Sequence, residues 1–335
     1  MTERFGEFEG QAVERATISD GSLTANVITW GAVVQDLRFA GHAAPLVLGF
    51  ETFDPYPSES PYFGAIAGRV ANRIRNARAP LDGRTVELDP NVRGVHHLHG
   101  GSCGLGKRVW SITDTGPAHV TLEIVSPDGE MGYPGTMTAR CTYRIEGGSL
   151  VVDLSAETDE PTFCNLAHHS YFNLADGGRT PILGHHLRIA ADHYLDVDDD
   201  FIAYGEPLQV EGTRFDFRTT RPIRVGGSGE HPVWDHNYCI ANERGPMREV
   251  ARVRSPDGSL RMITESTEPG LQFYAGHKIA TQTPGLDGIA YGPRSGFCLE
   301  AQVWPDAPNH PDYPSAVLQP GNGYQQITRY AFSRD

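Results

Sequence analysis

The chain has 335 residues, enough for two domains of about 150, although large β-sandwiches and barrels exceed that size as single units. Its 38 glycines and 24 prolines are close to a fifth of the residues, against roughly 12 % in average usage, so the chain turns often; 39 % hydrophobic and 21 % charged residues exclude disorder and collagen alike. With 28 basic and 42 acidic residues the net charge is −14, which opposes attraction to a nucleic-acid backbone, and no stretch approaches the ~18 apolar residues of a membrane span.

The first twenty residues carry charges where a secretory leader has an apolar block, which points to a soluble, cytoplasmic protein. Five cysteines (Cys103, Cys141, Cys164, Cys239 and Cys298) are odd in number and far apart, and read as free thiols. GRVANRI at 68–74 and HHLHGG at 96–101 are the first segments to set polar groups among apolar ones. Within the second, His97 and His99 would share one side of a strand, a spacing used by metal sites, with His169 or Glu300 as a third ligand; the plainer reading of the 14 histidines is that each HH doublet places one imidazole in the core and one outside. GSCGLGK at 101–107 fits a phosphate-cradling loop, and GGSCG at 100–104 a nucleophile elbow. Both lack a preceding hydrophobic strand and a following helix, and Arg108 stands where the former needs Ser or Thr, so a glycine-rich turn explains both.

Period-two alternation then sets in. Val120 to Val125 runs into a PDG turn; Met137, Ala139, Cys141, Tyr143 and Ile145 interleave with polar residues, turn at Gly147-Gly148 and return through Val152, Leu154 and Ala156 as an antiparallel hairpin. HHSYFNL follows at 168–174. The long stretch without Gly or Pro, 185–204, has no 3.6-residue periodicity and reads as strand and loop. Arg214, Arg218, Arg221 and Arg224 form either a basic cluster fit for a phosphate or an exposed polar loop. WDHNYC at 234–239, a second hairpin over 251–265 with an SPDG turn, and SGFCLEAQVWPD at 295–306 complete the series. In the last, a carboxylate, Glu300, closes a short apolar run, a position that usually has a partner (Arg69, Arg73 or a histidine) or a job. Strands joined by turns without helical spacers predict an all-β, large antiparallel sandwich, one domain over 1–335 with few or no helices.

Seven segments in fixed order resemble the aldose 1-epimerases: YFGAIAGRVANRI at 62, LHGG at 98, PDGEMGYPG at 127, HSYFNL at 169, TEPGLQFYAG at 267, SGFCLEAQVWPD at 295 and LQPGNGY at 318. The resemblance implies a β-sandwich enzyme that interconverts the anomers of free aldoses such as glucose and galactose, without metal or organic cofactor, as a monomer or homodimer. It further implies Glu300 as general base, His169 as general acid, and substrate contacts from Asn72, Arg73, His99, Asp235 and Gln272. Two departures stand out: His168 where the family often has Asn, in a position to compete for the proton of His169, and His277-Lys278 where it usually has Asn and an aromatic. A glutamate near pKa 4.3 is ionised at neutral pH and a histidine near 6.5 partly protonated, so the two suit proton removal and delivery, and neighbouring carboxylates such as Asp235 should raise His169 toward the working pH. Tyr171, Phe172, Trp234 and Trp304 are candidates for stacking on a sugar but more simply fill the core. Alternatives are a sugar 6-phosphate epimerase of the same fold, a non-catalytic carbohydrate-binding protein, and a metal enzyme built on His97 and His99.

Overall fold

The computed structural model describes residues 2–225 and 231–334, almost all of them strand, turn or loop. Nine antiparallel strands form the largest sheet, in the order Ser111–Gly116, His119–Ser126, Met137–Glu146, Ser149–Thr158, Tyr324–Arg334, Leu260–Ser266, Arg248–Arg254, His186–Ile189, Arg221–Pro222. The Gly147-Gly148 hairpin lies at its centre with the expected register: Ala139 faces Ala156, Cys141 faces Leu154 and Tyr143 faces Val152, all buried. The SPDG hairpin pairs Arg248–Arg254 with Leu260–Ser266, and the 185–204 stretch contains the strands His186–Ile189 and His193–Val197.

A second sheet of five strands runs Ala203–Gln209, His193–Val197, Asp235–Cys239, Gly270–Tyr274, Cys298–Gln302. It packs on the first through alternating residues of its last strand. Leu299 and Ala301 are buried in the shared apolar core, where Tyr330 Oη donates to the Leu299 carbonyl at 3.1 Å and Gln326 Nε2 to that of Ala301 at 2.6 Å. Side chains alternate across a strand, so Glu300 between them projects from the opposite face, away from the sandwich interior.

Two elements were not foreseen. Residues 2–39 form a four-stranded meander whose second strand, Gln11–Ser19, buries Val13, Ala16 and Ile18, a spacing of three then two that hides the alternation. A single helical turn, Tyr56–Glu59, follows Pro55. The glycine-rich 100–107 segment is a turn ending in a 3-10 turn at Leu105–Lys107, so neither a phosphate loop nor a nucleophile elbow is built there. No helix among the described residues is long and apolar enough to cross a membrane.

Candidate active site

Three neighbouring strands of the smaller sheet bring three polar side chains to its outer face. Glu300 lies directly opposite Gln272, and the next strand aligns Asp235 with Tyr274, two residues beyond Gln272 on the same face. Gln272 Nε2 donates to Asp235 Oδ1 at 2.8 Å, which fixes both groups. Glu300 is 2 % exposed, and its Oε2 and the Gln272 Oε1 are buried without a hydrogen-bond partner among the described residues. A buried carboxylate oxygen left in that state is costly, so the site conserves a polar face for something else to meet.

Segments outside the sheet supply the opposing groups. The two-residue strand Ala167–His168 pairs with Ile66–Ala67, and the His169 amide donates to the Ala65 carbonyl at 2.9 Å, which turns the His169 ring toward the sheet with Nε2 3.5 Å from Glu300 Oε2. His168 points the other way, into the core, between Ser170 Oγ at 2.9 Å and Tyr330 Oη at 3.4 Å. The two imidazoles point to opposite sides, but both are buried, so neither lies outside as the plainer reading expected, and His168 does not compete for the proton of His169. His99 is held by a reciprocal pair: its amide donates to the Asn72 carbonyl at 3.0 Å, and the Asn72 amide donates to His99 Nδ1 at 3.2 Å. With Nδ1 accepting, a neutral His99 carries its proton on Nε2 and is a fixed donor. The turn behind it requires Gly100, at φ +86°, because a Cβ there would lie 1.7 Å from the Gly68 carbonyl oxygen. Asn72 Oδ1 accepts the Arg73 amide at 2.9 Å, and the Arg73 guanidinium sits 5.5 Å from the centre of the Phe201 ring with Nε buried and unpartnered.

Burial dominates the protonation of the pair. Desolvation pushes Glu300 well above the usual carboxylate range, with Asp235 adding to the rise and Arg73 opposing it. It pulls His169 down to about 4, although Asp235 works the other way, and holds His99 well below its ordinary value. The expectation that nearby carboxylates raise His169 is therefore overturned: desolvation outweighs their attraction. Both shifts favour the neutral forms, carboxyl with imidazole, and the titration belongs to the pair.

Other expectations change as well. His97 is buried 8 residues from Asp89 in sequence and spends both ring nitrogens there: Nδ1–H donates to the Asp89 carbonyl at 2.8 Å, and Nε2 accepts from Tyr133 Oη at 2.6 Å. The metal pairing of His97 with His99 is excluded; instead His99, His169 and Glu300 have donor atoms within 4.8 Å of one another, a trio that would have to contract to grip a tetrahedral ion with bonds of about 2.0–2.2 Å. Arg69 is not the partner of Glu300. Fully buried, it donates to Ser126 Oγ and to the carbonyls of Ser126, Pro127 and Pro134, anchoring the PDGEMGYPG turn. Three of the four arginines at 214–224 are engaged away from a phosphate cradle: Arg221 stacks 3.8 Å over Phe217, Arg214 4.8 Å over Phe215, and Arg218 pairs with Asp216 at 2.8 Å, while Arg224 is exposed. Tyr171, Phe172, Trp234 and Trp304 are all buried in the apolar clusters. Two residues escaped sequence reasoning. Tyr62, whose ring lies 4.7 Å from His99 and 5.9 Å from His169, heads a motif already conspicuous, whereas Phe201 follows an acidic loop that gave no signal.

Residues 14–331 match the family model described as aldose 1-epimerase. The chain is 40 % identical to a galactose mutarotase of Rattus norvegicus over 98 % of its own length and 97 % of the relative's, and 33 % identical to an aldose 1-epimerase of Escherichia coli over 97 % and 96 %. Its structure resembles that of an aldose epimerase homologue from C. elegans, with a TM-score of 0.89 at 30 % identity, covering 96 % of this chain and 99 % of that one.

Proposed function

Because the chain belongs to the aldose 1-epimerase family, we propose that Glu300 and His169 are the base and acid with which it opens and closes the ring of a free aldose. The enzyme is a mutarotase, an isomerase that interconverts α and β anomers. A cyclic sugar changes anomer only by opening, which needs one proton removed from the anomeric hydroxyl and one delivered to the ring oxygen. Those oxygens sit on a single carbon. Glu300 Oε2 and His169 Nε2, side by side at 3.5 Å, can each reach one of them within the roughly 2.6–3.2 Å of a productive hydrogen bond. That spacing is the observation that carries the assignment.

Opening takes the anomeric proton to Glu300 while His169 protonates the ring oxygen. The aldehyde turns about its bond to the next carbon, and closure on the other face reverses both transfers. The form needed at the start is carboxylate with imidazolium: Arg73 favours the carboxylate and Asp235 the imidazolium, while Asp235 works against the carboxylate and burial against both. Sugar hydroxyls entering the site replace part of the lost hydration and support the charged form. His99 Nε2–H and Arg73 serve as donors to hydroxyls, Asp235 as an acceptor, and Asn72 and Gln272 as amides of either kind. Neither anomer is charged, so the chemistry requires no metal. Free aldohexoses such as glucose and galactose are substrates, in a cytoplasmic setting that suits five unpaired thiols. The test is polarimetric: crystalline α-glucose or α-galactose dissolved with enzyme should reach equilibrium rotation faster than spontaneously, and an unchanged rate for every free aldose would refute the reading.

A further inference from the structure

The rim of the site carries positive charge out of keeping with the rest of the molecule. Phe201 is clasped between two cations: the Arg73 guanidinium 5.5 Å from its ring centre and Lys278 Nζ 4.3 Å from it. The Lys278 amide donates to Tyr274 Oη at 3.1 Å, which seats the lysine over the strand face that carries Gln272. Beside it, His277 stacks edge-on at 5.1 Å from Tyr274, and the Arg294 amide donates to the Gly276 carbonyl at 2.8 Å. Arg73, Lys278 and Arg294 have no carboxylate ion pair among the described residues, and the Nε atoms of Arg73 and Arg294 are buried without partners. Of the acidic groups nearby, Asp200 is paired with Arg93, whereas Asp235 accepts from the neutral Gln272 amide and still attracts Lys278. Three cations without a carboxylate ion pair, Arg294 reaching the His231 carbonyl through Nη2 at 3.4 Å, stand close together in a chain of net charge −14 and outnumber the Asp235 carboxylate among them.

Building on the mutarotase reading, we propose that this rim, with Lys278 at its centre, selects aldoses that bear an anionic group, a carboxylate or a phosphate, at the carbon farthest from the anomeric centre. The anion lies against Lys278 and Arg73 while the anomeric carbon meets Glu300 and His169. This is a different cation set from Arg214, Arg218 and Arg221, which are engaged on aromatic rings and carboxylates elsewhere.

Anomer exchange catalysed above the spontaneous rate, read by magnetisation-exchange NMR, distinguishes the possibilities with three sugars: a free aldohexose, the matching hexuronate and the matching hexose 6-phosphate. The wild-type enzyme should favour at least one anion over the neutral sugar in kcat/KM by roughly three- to tenfold at low salt, and the preferred arm identifies carboxylate or phosphate as the source. That ratio should collapse toward one in Lys278→Gln and in high salt, and survive in Lys278→Arg. A neutral sugar turned over as well as both anions, or a ratio unmoved by Lys278→Gln, overturns the proposal while leaving the mutarotase intact. A wild-type enzyme inactive on all three sugars overturns the mutarotase reading and this one with it.

Discussion

At the scale of single residues, the defining feature is a carboxyl and an imidazole buried side by side at 3.5 Å, each pushed by desolvation toward its neutral form. Glu300→Gln keeps the shape and removes the base, so kcat should fall by about 10²- to 10⁴-fold with substrate binding nearly unchanged; steady-state polarimetry on wild type and variant measures this. The pH dependence follows from the directions of the two shifts. Below about pH 4 the pair gains a second proton, Glu300 can no longer accept, and activity is lost; above the raised pKa of Glu300 the pair's proton departs, nothing remains to donate, and activity is lost again. A broad plateau between those limbs is expected in kcat/KM, in place of a bell centred on ordinary glutamate and histidine values. Chelation tests the trio of His99, His169 and Glu300 in its other capacity. Activity should survive dialysis against EDTA; loss restored by zinc would assign the trio to an ion.

At the scale of elements, the site depends on how a short segment is gripped from two sides. The WPD loop beyond Glu300 holds the Arg73 strand: the Asp306 amide donates to the Arg73 carbonyl at 3.1 Å, and the Asp306 carboxylate accepts the Arg75 amide at 2.9 Å. Asp306→Ala should therefore displace Arg73 and raise KM more than it lowers kcat, a split that kinetics on a neutral aldose would resolve; equal loss in both would argue against this coupling. Much of the framework was legible beforehand, because the hairpin from Met137 and the Glu300 motif follow period two without interruption. The 2–39 meander was not, since its second strand breaks that period. His97 misled for a related reason: strand alternation gives facing only while a strand continues, and this one ends at Leu98, after which His99 turns at φ +50°. The direction of the His169 shift lay outside sequence altogether, for it depends on how deeply the ring is buried.

At the scale of the whole molecule, one apolar cluster gathers residues from Ala16 to Phe332 across the meander and both large sheets. We propose that residues 1–335 unfold as one unit, to be seen as a single calorimetric transition with matching calorimetric and van't Hoff enthalpies. Acid should weaken that unit early. Apart from Glu300 and His169, His97, His99, His168, His185 and His236 are held neutral by burial, with His168 near 3 and His185 and His236 near 4, so the unfolded chain binds more protons below about pH 6.5 and stability falls as the pH falls. Asp36, Glu268 and Asp306 are raised and act in the opposite sense, but they are fewer. A Tm lower at pH 5 than at pH 7 is the expected outcome. The buried pair has one more implication, for symmetry in time. Once the ring has opened, Glu300 holds the proton and His169 is neutral, which is the distribution that burial favours, whereas the closed sugar calls for a carboxylate, which Arg73 supports, and an imidazolium, which Asp235 supports. Burial thus leans toward the intermediate, and because closure reverses both transfers a turnover can run from either anomer and finish with every proton back where it started, borrowing none from water.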